Sequence, residues 1–325
     1  MQPPAGSDRL AKRPFGPTEL TVTPIGMGCA AFGDMPETFQ YSVAESDALQ
    51  AARELFAGPL NFIDTAASYG DGESERRIGL VLKELGGLPN GCVLATKADR
   101  DLTSGDFSGD QMRRSVERSL RLPGLDRLQV VHLHDPEWIA FEEAMAPGGP
   151  VEVLVRLKEE GVIDHLGVAG GPIELMIRFV ETGAFEAVIS HNRYTLLNRS
   201  ASPLFDIASE RGLAVLNAAP FGSGILSRGP DSYPRYAYRR ATDEVVERAR
   251  ELGRACARHG VPLAAAALQF SLRDPRITST IVGFSRPQRV RQAVELAAHP
   301  VPDELWKEIE SSDGWAGDPE STRTR

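Results

Sequence analysis

Asn61-Phe-Ile-Asp-Thr-Ala-Ala-Ser-Tyr69-Gly70 is the stretch on which the reading of the fold turns. Residues 61–63 are mostly apolar and predict a short buried strand. The run stops on a carboxylate, Asp64, and a loop of small residues leads to Tyr69. From Glu73 the pattern turns helical. Glu73-Ser-Glu-Arg-Arg-Ile-Gly-Leu-Val-Leu-Lys-Glu-Leu85 puts Ile78, Leu82 and Leu85 at helical spacing, with acids in the first turn where the helix dipole favours them. The charged residues 73–77 read as a solvated first turn. Strand, loop and helix thus succeed one another, with a carboxylate at the strand's C-terminal end and a phenol just past it. In parallel α/β folds that end is where chemistry is done.

Outward from this unit the pattern repeats. Strands are expected at 25–30, 61–64, 93–97, 128–134, 165–169, 187–191, 214–219 and 278–283. Helices are expected at 42–57, 73–85, 110–122, 151–160, 173–182, 204–211, 242–259 and 287–298, with a last short one at 303–309. Gly161, Gly183 and Gly212 close three of them. About eight strand–helix units predict a (β/α)8 TIM barrel over residues 10–325 as a single domain, preceded by a hairpin around Gly16-Pro17 and a disordered segment 1–9. A doubly wound open sheet is the runner-up. Against it, no Gly-x-Gly-x-x-Gly follows the first strand; Gly26-Met-Gly28 runs into Cys29-Ala30-Ala31 instead. The longest irregular segments, 34–41, 98–109 and 227–241, all fall on the C-terminal face.

The bulk composition narrows the function. A net charge of -9 and pI near 5.3 argue against nucleic acid or an anionic membrane as the main partner. Cys29, Cys92 and Cys256 form no CxxC pair, which fits a reducing, cytoplasmic setting and no structural zinc. No stretch is long enough to span a bilayer, and a monomer or small homo-oligomer is expected. Lysine is scarce, at Lys12, Lys83, Lys97, Lys158 and Lys307, so a lysine within an apolar strand stands out.

Three strand ends carry polar groups where an apolar residue is the default: Asp64, Lys97 and His134. Neighbouring barrel strands bring such ends within side-chain reach, and Tyr69 sits on the loop beside them. A phenol has an ordinary pKa near 10. A nearby ammonium favours phenolate, so Lys97 is expected to lower it, with Asp64 holding the lysine and His134 orienting a substrate oxygen. Proton exchange at a carbonyl or hydroxyl then needs a hydride partner. No side chain supplies one, so a nicotinamide cofactor, NADP(H) or NAD(H), is implied. Each residue also has a plainer reading. Lys97 can snorkel to water, and His134 can cap the Asp135-Pro136 turn. His132 and His134 as an HxH pair can ligate a metal, although no third ligand stands in a matching motif. His132 is expected to pack inside the barrel. No metal is assigned.

These motifs resemble the aldo-keto reductases. The resemblance rests on Gly26-Met-Gly-Cys-Ala30, Phe62-Ile-Asp-Thr-Ala66 with Tyr69-Gly70 and Glu75, Thr96-Lys97, Val131-His-Leu-His-Asp-Pro136 and Lys158-Glu-Glu-Gly-Val-Ile-Asp-His-Leu-Gly167. It implies a catalytic tetrad of Asp64, Tyr69, Lys97 and His134, with tyrosine as general acid or base. Asn192-Arg-Tyr-Thr-Leu-Leu-Asn198 and Asn217-Ala-Ala-Pro-Phe-Gly-Ser-Gly-Ile-Leu226 resemble the D-threo-aldose 1-dehydrogenase (L-fucose or L-galactose dehydrogenase-like) branch, which oxidises a sugar lactol to a lactone. A pyridoxal 4-dehydrogenase-like enzyme, an aldehyde or carbonyl reductase and a cofactor-binding redox sensor are the alternatives. The implied cofactor contacts are Gly28, Cys29, Asp64, His191, Asn217, Ala219, Phe221, Gly222, Ser223, Gly283, Ser285, Arg286 and Arg289. The chain departs from the family pattern at Ala169-Gly170, His191 and Ala218, which leaves His191 and Asn217 to hold the cofactor amide. The segment 219–223 offers backbone N–H groups to a pyrophosphate. Arg289 matches the arginine that meets an adenosine 2′-phosphate, while Gly283 replaces the usual lysine. Both dinucleotides stay open, with a tilt to NADP.

Overall fold

The computed structural model describes residues 10–311, 317 and 318. The disorder expected of residues 1–9 lies outside the described residues. A hairpin of β1 (Arg13–Pro14) and β2 (Thr21–Val22) comes first. Seven strands follow: β3 (Ile25–Gly28), β4 (Phe62–Asp64), β5 (Val93–Ala98), β6 (Leu128–His134), β7 (Ile163–Ala169), β8 (Ala187–His191) and β9 (Ala214–Ala218). A second hairpin, β10 (Arg235–Tyr236) and β11 (Arg239–Arg240), precedes β12 (Ser279–Gly283). The eight long-range strands pair in parallel and close in the order β12-β3-β4-β5-β6-β7-β8-β9. The seam runs in register from Thr280↔Ile25 to Gly283↔Gly28, which excludes the open sheet. The fold is the expected (β/α)8 TIM barrel.

Strand parity decides what faces the lumen. Val93 and Ala95 of β5 belong to the apolar cluster inside the barrel, whereas Leu94 and Ala98 pack under the helices. Lys97 therefore points inward. Phe62 and Val130 lie in the same inner cluster, which turns Asp64, His132 and His134 inward too. The lower lumen is thus filled by hydrocarbon and the upper rim by polar groups. Phe15 of the first hairpin plugs the bottom; it is 0% exposed and lies 5.7 Å from the Phe62 ring, centroid to centroid. Arg13 ties that plug to the carbonyls of Ile277 and Leu272 at 2.5 and 3.2 Å.

Helix ends fall within about three residues of those expected, the usual latitude of such boundaries. Thr242 caps Asp243–Arg258 by accepting the Val245 N–H. One barrel helix, Leu263–Leu272, was not anticipated. Residues 265–271 are all buried, so it has no polar face to set a period. The first turn of Glu73–Leu85 also differs from expectation: Glu75 and Arg77 are buried, not solvated. Thr96 of β5 donates to Glu75 Oε1 at 2.5 Å, and Arg77 donates to the Val43 carbonyl at 2.9 Å. Among the described residues, no helix is long and apolar enough to cross a membrane.

Candidate active site

Because β4, β5 and β6 are adjacent, Asp64, Lys97 and His134 arrive at one rim. Lys97 Nζ donates to Asp64 Oδ1 and Oδ2 at 2.7 and 2.8 Å and to the Thr65 carbonyl at 2.7 Å. Its fourth neighbour is the Tyr69 hydroxyl at 3.2 Å. The Tyr69 and His134 rings form a T-shaped pair, with centroids 5.9 Å apart and planes at 83°. Tyr69 is placed by a turn whose Gly70 has φ +63° and lies against the backbone of Gly33. Any Cβ at position 70 would enter the Gly33 carbonyl, so the loops after β3 and β4 interlock beside the phenol. All four expected residues therefore meet.

The electrostatics correct one expectation. Tyr69 is partly exposed to the cavity, yet protein crowds its hydroxyl, and this burial pushes its pKa well above the ordinary value; the Asp64 carboxylate adds to the rise. The Lys97 ammonium, 3.2 Å from the hydroxyl and bonded to both oxygens of Asp64, does not reverse that rise. Burial also raises Asp64 above the usual carboxylate range despite the pull of Lys97. For His134, burial acts downward, but Asp99 and Asp135 outweigh it and the pKa is raised. His132 lies deeper, fully buried, with Nδ1 3.4 Å from the Thr96 carbonyl and its ring against Gly167. Burial and Lys97 lower it to about 3, so it stays neutral. Among the described residues, no three His, Cys, Asp or Glu side chains are grouped to hold a metal ion.

The rim opens into a cavity of about 710 Å³, within the usual range for small-molecule and cofactor sites. Gly28, Asp64, His191, Ala219, Phe221, Ser223, Gly283, Ser285 and Arg289 line it, as do Tyr69, Lys97 and His134. Cys29, Asn217, Gly222 and Arg286 are not among the lining residues. Asn217 shares the outward parity of Val215, and its amide donates to the Tyr194 carbonyl at 2.9 Å and to Ser271 Oγ at 2.8 Å. It therefore has its back to the cavity. Ala219 and Ser223 take positive φ values, +57° and +60°, a conformation L-residues rarely adopt without a constraint. Such a bent, small-residue segment at one wall, with Ser285 and Arg289 near the start of helix Gln288–Ala298, fits an anionic dinucleotide.

Further residues complete the surroundings of the site, and of the three tyrosines in the loop after β9 only Tyr238 reaches the wall. Tyr238 lines the cavity from the β10–β11 hairpin, 5.9 Å from the Phe39 ring and 6.4 Å from His191, centroid to centroid. Tyr233 donates to the Phe39 carbonyl at 3.0 Å, while Tyr236 packs below with its hydroxyl on the Asn192 carbonyl at 2.7 Å. Asp99 Oδ1 lies 2.6 Å from His134 Nδ1. Its signal was parity: it follows Lys97 by two residues.

Comparisons with known proteins agree with this geometry. The sequence model of the aldo/keto reductase family matches residues 24–313. D-threo-aldose 1-dehydrogenase of a Pseudomonas species is 30% identical, over 89% of this chain and 94% of its own. Pyridoxal 4-dehydrogenase of Microbacterium luteolum is 28% identical, over 92% and 96%. Among solved structures, the holo form of an aldo-keto reductase from Bacillus halodurans superposes with a TM-score of 0.73 at 23% identity, covering 93% of this chain and 95% of that one, a likeness of fold.

Proposed function

The chain belongs to the aldo/keto reductase family of oxidoreductases, and from that footing we propose that it exchanges a hydride between a nicotinamide dinucleotide and C1 of a cyclic sugar lactol, with Tyr69 as the proton-transfer group. The observation that carries this reading is the Lys97 ammonium, bonded to both Asp64 oxygens and to the Tyr69 hydroxyl at 3.2 Å, at the floor of a cavity that also presents His134. The similarity to D-threo-aldose 1-dehydrogenase supports a lactol of that stereochemical class. The dinucleotide, when bound, takes up or supplies the hydride. Ala219, Phe221, Ser223, Ser285 and Arg289 would hold its phosphates, and Arg289 favours NADP(H) over NAD(H). His134 orients the substrate oxygen, Tyr69 holds or receives its proton, and Lys97 fixes the phenol while Asp64 fixes Lys97. The setting is cytoplasmic, and the protein acts as a monomer or small homo-oligomer within one domain.

A second reading, reduction of an aldehyde, draws on the Tyr69 phenol being held in its protonated form, ready to give a proton to a carbonyl oxygen. Its pyridoxal-related version draws on the second relative. The deciding experiment is a screen of L-fucose, L-galactose, pyridoxal and simple aldehydes with both dinucleotides, read as nicotinamide absorbance. Tyr69→Phe should lower turnover by about 10²–10⁴-fold with dinucleotide binding intact. Turnover above a tenth of wild type would remove the phenol from proton transfer.

A further inference from the structure

Asp99 stands on a pinned backbone. Its N–H donates to Ser115 Oγ and its carbonyl accepts from Gln111 Nε2, both at 3.0 Å and both from helix Gly109–Arg121. The side chain, 5% exposed, divides its two oxygens. Oδ1 lies 2.6 Å from His134 Nδ1, and Oδ2 accepts the backbone N–H of Ser68 at 2.9 Å. Ser68 immediately precedes Tyr69. An ionised carboxylate only accepts, so the imidazole proton belongs on Nδ1. Ser68 Oγ, at 3.4 Å from the same nitrogen, is a longer second contact. With Nδ1 committed to the wall, Nε2 is the nitrogen left for the cavity.

We propose that Asp99 is a positioning residue for the reaction: one carboxylate fixes the tautomer and plane of His134 and, through Ser68, the loop that carries Tyr69. Imidazole and phenol are thereby aimed at the same substrate oxygen. This rests on the reading of Tyr69 and His134 as the groups that face that oxygen. Asp99 also decides whether Nε2 accepts or donates, because a neutral ring protonated on Nδ1 offers Nε2 as an acceptor and an imidazolium offers it as a donor. The surrounding charges favour the donor. Asp99 and Asp135, the latter 3.7 Å from Nε2, outweigh the opposing effects of burial and Lys97. Asp64 adds to the negative side, His132 below is neutral, and Tyr69 presents an uncharged ring.

The test is side-chain ¹⁵N NMR of the full-length protein, which has 6 histidines. The His134 signal is identified by its loss in His134→Gln. In the wild type, Nδ1 of His134 should be protonated at every pH from about 6 to 8. In Asp99→Asn, which keeps the shape and removes the charge, the ring should titrate about one pH unit lower, roughly a tenfold weaker proton affinity. Turnover of Asp99→Asn should fall more than substrate affinity, and the loss should shrink as pH falls. A purely structural role would move thermal stability and leave the His134 titration in place. An unprotonated Nδ1 in the wild type, which needs no variant to fold, would overturn the proposal, as would an unchanged titration in Asp99→Asn. The NMR result needs no substrate. Absence of turnover on lactols and aldehydes would thus count against the proposed function and leave the role of Asp99 to the spectra.

Discussion

Lys97→Met isolates the ion pair at the centre of the site. The Lys97 and Asp64 side chains are 3% and 5% exposed and 2.7 Å apart. Removing the ammonium leaves a buried carboxylate without its cation, and breaking a buried pair from one side costs about 3–5 kcal/mol. The carboxylate can evade part of that cost by taking up a proton. Burial already holds Asp64 above its ordinary value in the wild type, and loss of Lys97, which opposes that rise, sends it higher. The sign follows from linkage. A carboxyl with a raised folded pKa favours the folded state below its unfolded pKa, and this advantage is lost as pH rises through the folded value. The deficit of Lys97→Met relative to wild type should therefore be small near pH 5 and approach its full size near pH 8, where the melting temperature should drop on the order of 10 °C. Urea unfolding of wild type, Lys97→Met, Asp64→Asn and the double variant measures this. The double variant should recover most of the loss, because neither partner is left charged. It should keep a residue of about 1 kcal/mol, since the Thr65 carbonyl, 2.7 Å from Nζ, loses its donor. A deficit equal at both pH values, or a double variant as unstable as Lys97→Met, would refute the reasoning.

Further outcomes follow from single contacts. Gly70→Ala forces a Cβ into the Gly33 carbonyl at φ +63°; stability should fall by about 3 kcal/mol or more in urea unfolding, with turnover lost alongside because Tyr69 is its neighbour. Arg289→Ala should weaken NADP(H) binding by about tenfold and NAD(H) little, as read by fluorescence titration, because only one of them carries the 2′-phosphate. Arg286→Ala, outside the cavity wall, should change neither. His132 is held neutral down to about pH 3, whereas the unfolded ring protonates near its ordinary value of about 6.5. Its contribution is present above that ordinary value and is lost as pH falls toward the folded one, so His132→Leu should lose less stability than wild type between pH 7 and pH 4 in parallel urea titrations.

The barrel was legible because its strands are short apolar runs closed by turns and its helices mostly amphipathic. Helix Leu263–Leu272 was missed for the converse reason: a segment apolar on every side carries no period. Asp64, Lys97 and His134 could be found because each breaks an apolar strand at its upper end. Parity, applied more strictly, would have turned Asn217 outward with Val215. Glu75 looked like surface because its neighbours Glu73 and Arg76 pair there; that Thr96 faces it from another strand is a tertiary fact. The acidity expected of the phenol failed for the same kind of reason. How closely protein and the Asp64 carboxylate crowd its hydroxyl depends on distances no spacing states. Asp99 lies just past a strand end, in a segment without periodicity, so only its two-residue offset from Lys97 spoke for it.

The seam between β3 and β12 has a consequence for biogenesis. Arg13 reaches the Ile277 carbonyl and Ser279 the Thr23 carbonyl, so the first hairpin waits for residues far later in the chain. Until residues 279–283 emerge, β3 has one unpaired flank and the inner cluster that holds Phe15 lacks Ile281. A nascent chain halted before that point carries a raw sheet border, an invitation to pair with another copy. Arrival of β12, rather than of any shorter stretch, is what closes the barrel.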